Sequence, residues 1–137
     1  MKKPIVNVEQ RKSRRLLDRV EGFESSLGKN TVFKGVISGK GHCIVYGAGE
    51  GECLLDGTFV IAESGSWVGK IDVENLIIAG KVDGELKANS KIEILSSARV
   101  KGQIESVVMA IAEGAVHEGE IKMSPNATVT RFVDKRD

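Results

Sequence analysis

One segment of the sequence repeats without gaps, and this repeat constrains the fold more than any other feature. Residues 78–104 align with residues 45–71 at an offset of 33, so that glycine lies under glycine and apolar residues lie under apolar residues. The second half of the segment recurs at an offset of 17, which places Ile121 under Ile104. The underlying unit is about 15 to 18 residues long, a length that indicates one turn of a solenoid.

Within each unit apolar residues alternate with polar ones, as in the run from Ala98 to Ile104. A period of two indicates β-strand, because successive side chains point to opposite faces. Small or polar corners, such as Ser96-Ser97 and Glu113-Gly114, separate three short strands in each unit. The pattern therefore predicts an all-β protein, a parallel β-helix of about six rungs with a solid apolar core. One rung buries too little apolar surface to be stable alone, so the rungs must stack.

The chain divides into three parts. Residues 1–30 form a basic N-terminal arm, flexible or partly helical, and residues 9–27 predict an amphipathic helix. Residues 31–123 form the β-helix domain, and residues 124–137 form a short C-terminal strand followed by a charged tail. Leu16, Val20, Phe23 and Leu27 recur at helical spacing in the predicted helix.

The arm carries most of the positive charge. Residues 1–20 have a net charge of +5, whereas the remaining 117 residues have a net charge of −4. Two interpretations of the arm stay open: it covers the open end of the solenoid, or it contacts an anionic membrane surface or another partner. The candidate contact residues are Lys2, Lys3, Ile5, Val6, Arg11, Lys12, Arg14 and Arg15.

The residues that usually perform catalysis are placed unfavourably, and no catalytic, cofactor or metal site is predicted. His117 occupies the inward position of Val100 one unit earlier, which favours a packed residue over a general base. Cys43 and Cys53 fall on the apolar alternation, which predicts buried, reduced thiols. Outward carboxylates alternate with lysines, a pattern typical of cross-strand charge ladders on a solvated face. These carboxylates are Asp83, Glu85, Glu93, Glu105 and Glu120.

The sequence also predicts a cytosolic location, with membrane association at the inner face left open. No apolar run approaches the roughly 20 residues of a transmembrane helix. The near-neutral charge of the whole chain, +1, lacks the signature of a nucleic-acid-binding protein, so no nucleic acid is expected as a partner.

The signatures VDGEL at residues 82–86 and VKGQI at residues 100–104, followed by GAVHEGEIKM at residues 114–123, resemble the bactofilins, a family of polymer-forming bacterial cytoskeletal proteins. The resemblance covers residues 31–123. It implies a right-handed parallel β-helix that assembles end to end into non-polar filaments without nucleotide. It also implies roles in cell shape and in polar or envelope organisation, often through membrane-associated polymers, with cell-wall or polar proteins as further partners. Family members commonly have Phe where this chain has His117.

The sequence and the resemblance together predict a non-enzymatic structural protein that polymerises with itself through its ends. The end rungs of a β-helix expose backbone N–H and C=O groups and a cross-section of the core, which is a template for another copy. The candidate polymer-interface residues are Phe33, Ile37, His117, Ile121, Met123 and Phe132.

Two alternatives to the polymer stay open. One is a monomeric or small-oligomer adaptor with capped ends. The other is a left-handed β-helix acyltransferase, although the rungs of this chain are unequal in length and so break the strict hexapeptide period of that fold.

Overall fold

The structure, a computed structural model, describes residues 25–133, apart from the side chains of residues 124–127. Within this range the protein is all-β, without a helix, and a parallel sheet winds into a solenoid of about six turns, which confirms the predicted fold class. Its right-handed winding stays a prediction. The strands of the described range are β1 (Ser25–Leu27), β2 (Val32–Lys40), β3 (Cys43–Val45), β4 (Ala48–Ile61), β5 (Ser66–Ile78), β6 (Lys81–Ile94), β7 (Arg99–Ala112), β8 (Val116–Glu118) and β9 (Ile121–Phe132).

Each rung has three faces, which we name by their order along the chain. In β6 the first face is residues 81–83, the second face is residues 85–88, and the third face is residues 91–94. A glycine separates the first two faces, and a shift in register separates the second from the third, between Ala88 and Lys91 in this rung. We call residues that stack at one position of successive rungs a column.

Glycines fill the corner between the first and second faces in every rung. This glycine column consists of Gly35, Gly51, Gly69, Gly84, Gly102 and Gly119. A Cβ placed on Gly69 would lie 2.0 Å from the carbonyl oxygen of Gly51, and its φ of +129° is a conformation that L residues rarely adopt. The corner therefore requires glycine, and the chain bends where the alternation alone predicts one straight strand.

The inward columns form one continuous core with no lumen in the described rungs, as the sequence predicts. Ile71, Leu86 and Ile104 stack on the second face and are at most 2% exposed. The bulkiest core residue, Trp67, fits because the rung before it has a glycine at this position: a Cβ on Gly49 would lie 2.3 Å from the indole ring. Volume is thus matched between neighbouring rungs.

The solenoid begins earlier than predicted. Ser25–Leu27 form β1 and pair in parallel with Cys43–Val45, so the predicted helix at residues 9–27 is wrong over its last three residues. Residues 9–24 of that prediction lie outside the described residues. Strand formation wins at residues 25–27 because an unpaired edge of β3 satisfies their backbone groups.

The solenoid also ends later than predicted. The sequence places the last rung at residue 123 and a separate terminal strand after it, but β9 continues to Phe132. Thr128 to Phe132 pair in parallel with Val108 to Ala112, so this stretch is the third face of the last rung. The C-terminal stretch therefore belongs to the solenoid and does not follow it as a separate strand.

Cys43 and Cys53 are free, buried thiols, as predicted. Desolvation raises the pKa of the Cys43 thiol from 9.0 to about 11, and it raises the pKa of the Cys53 thiol further. In the unfolded chain both thiols ionise near pH 9, whereas in the folded chain they stay protonated. The stabilisation that these thiols give the folded chain is therefore fully present below pH 9. It is lost progressively as the pH rises toward 11.

We expect a rise from pH 9 to pH 11 to lower the free energy of unfolding by roughly 2 to 3 kcal/mol through the Cys43 thiol alone. Urea unfolding at pH 8 and at pH 10.5 measures this loss. Lysine and tyrosine also titrate in this range, so a variant with Cys43→Ala and Cys53→Ala serves as the matched control. An equal loss in the control would show that the thiols do not cause it.

Candidate polymer contacts at the two ends of the solenoid

Both ends of the solenoid have unpaired strand edges within the described range. β1 and β2 pair only with β3 and β4, and β8 and β9 pair only with β7. The outer edges of these four strands present a row of backbone N–H and C=O groups that a further parallel or antiparallel strand could accept. The ends are therefore sites where another polypeptide can add.

At the C-terminal end, core columns that are buried in the inner rungs reach solvent. Ile121 continues the column of Ile104, and the exposed fraction of its side chain is 40%, against 0% for Ile104. Val129 continues the column of Met109, with exposures of 48% and 0%. Met123 is partly buried at the end of a third column, above Ser106. The last rung thus displays a cross-section of the apolar core.

His117 lies beside this apolar surface and continues the column of Val82 and Val100. Its ring is half-buried, and Nε2 lies 3.2 Å from the carbonyl oxygen of Gly102. A carbonyl oxygen only accepts, so Nε2 carries a hydrogen and donates it. His117 is therefore a packed residue at the end of a core column, as predicted.

The N-terminal end is built by Phe33 and Ile37 of β2. Both are partly buried and pack against the core. The ring of Phe33 stacks on Trp67 with 6.3 Å between the ring centroids, because Gly49 of the intervening rung has no side chain. Phe33 is thus held in place by the core below it and forms part of the surface that an added rung would meet.

Phe132 is placed differently from the other candidates. It lies in the last rung, above Ala112, but it packs against a second apolar cluster on the outside of the third face. The structure therefore brings His117, Ile121 and Met123 together on one end and Phe33 and Ile37 on the other, whereas Phe132 points to the flank.

Two residues of the end surfaces were missed in the sequence prediction. The step along the chain from Met109 to Val129 is longer than the earlier steps of the same column, so ungapped alignment of the repeat does not reach Val129. Leu27 continues the column of Val45 at the N-terminal end and was assigned to the helix. The signal for Val129 is its alternation with Thr128 and Thr130.

The flank of the second face carries a charge ladder, of which the sequence predicts Glu105 as a member. Asp72, Lys87, Glu105 and Lys122 stack in one column with alternating sign. Opposite charges at neighbouring exposed positions contribute 0 to about 1 kcal/mol each, and the column is a largely solvated surface. Glu93 departs from the prediction, since its side chain faces outward but is only 4% exposed.

Residues 25–133 contain no group of three or more His, Cys, Asp or Glu side chains that could hold a metal ion. In the same range there is no helix that is long and apolar enough to cross a membrane. The eight candidate contact residues of the basic arm, from Lys2 to Arg15, lie outside the described residues.

Residues 25–122 match the model of the bactofilin family, described as polymer-forming cytoskeletal. The match covers more than half of the chain, and its first residue coincides with the start of β1. The chain belongs to the bactofilin family. Bactofilin BacO of Myxococcus xanthus (strain DK1622) is 32% identical to this bactofilin over 97 residues, which are 71% of this chain and 77% of BacO.

Bactofilin BacP of the same organism is 29% identical over 97 residues, which are 71% of this chain and 40% of BacP. No solved structure matches this bactofilin. The family assignment confirms the resemblance that the VDGEL and VKGQI signatures indicate, and it places the chain in a structural family of polymer-forming cytoskeletal proteins.

Proposed function

We propose that this bactofilin joins copies of itself end to end into filaments, without nucleotide, and that the filaments are a scaffold for cell shape or for polar or envelope organisation. One observation carries the proposal: the column that is at most 2% exposed through Ile71, Leu86 and Ile104 ends in Ile121, which is 40% exposed. Covering such apolar surface is favourable by about 25 cal/mol per Å².

Each end lacks a partner for its strand edge and a cover for its exposed core residues, and a second copy supplies both. If like ends meet, each contact is two-fold and self-complementary. A chain with two such ends then grows into a filament whose two directions are equivalent. The C-terminal contact uses Ile121, Met123 and the newly found Val129, beside His117, and the N-terminal contact uses Phe33 and Ile37.

Negative-stain electron microscopy of the purified full chain without nucleotide tests the proposal, together with sedimentation velocity. Filaments at micromolar concentration would support it. A uniform population of small particles would instead favour the adaptor with capped ends. Addition of nucleotide is the control, and it should change neither the number nor the length of the filaments.

We also propose that the basic arm binds the filament to an anionic membrane surface, through Lys2, Lys3, Ile5 and Val6. Each basic residue near such a surface contributes about 1 kcal/mol, so a single arm binds weakly and a polymer with many arms binds firmly. Flotation with anionic vesicles at low and high salt measures this. The deletion should end at residue 24, because Ser25–Leu27 are part of the solenoid. Undiminished flotation after the deletion would reject the arm as the anchor.

A further inference from the structure

The outer side of the third face differs in character from the rest of the surface. Ile44, Val60 and Ile77 stack there in one column and are 8%, 3% and 1% exposed. Their side chains point away from the core, because the neighbours Leu76 and Ile78 of Ile77 belong to the main core cluster. With Ala79 and Leu95 these residues form a second apolar cluster, which we call the outer cluster.

Outward positions elsewhere on the solenoid are solvated. The outer column of the second face is the charge ladder that contains Asp72 and Lys87, and Val68 on the first face is 52% exposed. Every extensive contact between strands of the described range joins neighbouring rungs, so no strand described here lies across the outer cluster. An outward face that is apolar in composition and is crossed by no described strand indicates a docking surface.

We propose that the outer cluster is the docking site of the chain's own N-terminal segment, residues 9–24, which packs there as an amphipathic helix. The segment joins the solenoid at the right place, since Ser25, its next residue, pairs with Cys43 at the N-terminal end of this same face. Leu16, Val20 and Phe23 provide the apolar stripe, at the spacing of successive helical turns.

The lengths agree. A helix of residues 9–24 is about 24 Å long at 1.5 Å per residue. The outer column runs from Ile44 through Val60, Ile77, Glu93 and Ala110 to Thr130, and five steps of about 4.8 Å also give roughly 24 Å. A helix that leads into Ser25 and runs along this face therefore spans its length, and the first turn of the helix lies near Phe132. Phe132 packs against the far end of the outer cluster.

The charges agree as well. Glu93 lies within the outer column, its side chain is 4% exposed, and its carboxylate is 3.2 Å from Nζ of Lys91. On a helix of residues 9–24, Lys12 and Arg19 lie together along one side of the apolar stripe. A helix docked by that stripe therefore brings two cations toward the column that contains the carboxylate of Glu93. Arg11 and Arg14 lie on the opposite side of the helix and stay available for an anionic surface. The inference therefore goes beyond the proposed filament and holds whether or not the chain polymerises.

The experiment is limited trypsin digestion of the full chain, with the rate of cleavage at Arg14, Arg15 and Arg19 followed by mass spectrometry. All variants carry Ile121→Arg, so that polymers do not shield the segment. Val20→Asp removes the docking contact without touching the solenoid, and Ile77→Asp removes it from the other side. Val68→Asp is the matched control on an exposed outward position.

We expect both Val20→Asp and Ile77→Asp to raise the cleavage rate at least about tenfold, since each variant removes the burial of one aliphatic side chain at the docking contact. Val68→Asp should leave the rate unchanged. The proposal fails if the parent chain is already cleaved as fast as Val20→Asp. It also fails if protection disappears on dilution, which would assign the docking site to a second copy, or arises only with anionic vesicles, which would assign the segment to the membrane.

Discussion

Replacing Ile121 with Arg is expected to abolish filaments while the solenoid stays folded. Ile121 ends a core column and is already 40% exposed in the single chain, so a longer polar side chain can turn toward solvent without disturbing Ile104 beneath it. In a contact between two C-terminal ends, two guanidinium groups would be desolvated next to each other, and such a like-charge juxtaposition costs several kcal/mol. We expect the critical concentration for assembly to rise more than about a hundredfold, as about 1.4 kcal/mol is a factor of ten.

The measurement is sedimentation at increasing protein concentration, with circular dichroism to confirm the fold. Val68→Arg is the matched control, because it introduces the same charge at an outward position that is 52% exposed on the flank. Met123→Arg tests the neighbouring column of the same end. Filaments of normal length in both Ile121→Arg and Met123→Arg would refute the assignment of this end as a polymer contact.

The opposite change at the same end is His117→Phe, which is expected to strengthen the contact. The side chain loses the hydrogen bond to the carbonyl oxygen of Gly102, a net contribution of about 1 kcal/mol, and gains apolar surface next to Ile121. Assembly should begin at a lower concentration than in the parent chain. Unchanged assembly would place His117 outside the contact.

The stacking of the core could be predicted from the sequence because the repeat contains it directly. One ungapped shift of the repeat places Ile121 under Ile104 and His117 under Val100, and the structure pairs the same residues. Since each strand of a parallel solenoid repeats the register of the one before, a single alignment predicts many long-range pairs. For this reason the fold and most residues of the end surface can be predicted from the sequence alone.

The remaining features depend on contacts that alternation does not encode. Val129 was missed since an insertion at the corner lengthens the last step of its column beyond the earlier ones. Leu27 was assigned to a helix because its spacing from Phe23 fits a helix, and only the free edge of β3 makes it a strand. The outward direction of Glu93 was predicted, but its burial was not, since a period of two gives the side of a strand and not what covers that side.

The largest loss of stability is expected from Gly69→Ala. A methyl group at this position would lie 2.0 Å from the carbonyl oxygen of Gly51. The Cα that carries the methyl group and the oxygen both belong to backbone that is paired between rungs. The clash cannot be relieved by rotation of a side chain, and the φ of +129° adds conformational strain of about 1 to 3 kcal/mol. We expect a total cost above about 4 kcal/mol, which is a large share of the roughly 5 to 15 kcal/mol that stabilises a typical domain.

Gly35→Ala separates the steric part of this cost from the conformational part. Gly35 begins the same column and has a similar φ of +143°, but no described rung precedes it, and a Cβ there meets only the ring of Phe33 at 3.5 Å. In this variant the free energy of unfolding should fall only by the cost of the backbone strain, about 1 to 3 kcal/mol. Urea unfolding in an Ile121→Arg background, followed by the fluorescence of Trp67, the single tryptophan, measures both variants without interference from polymers. Equal losses for Gly69→Ala and Gly35→Ala would mean that close stacking of the glycine column does not limit the fold.

The same pair of variants also distinguishes folding from assembly. In each inner rung the Cβ of a column glycine would point at the glycine of the preceding rung, as Gly69 does at Gly51, so at Gly35 it points out of the N-terminal end. Without the Ile121→Arg change, Gly35→Ala should therefore fold and yet form shorter filaments, because the methyl group holds an added rung away from the strand edge of β2. Filaments of normal length from a folded Gly35→Ala chain would show that the N-terminal contact does not bring backbone against backbone at this corner.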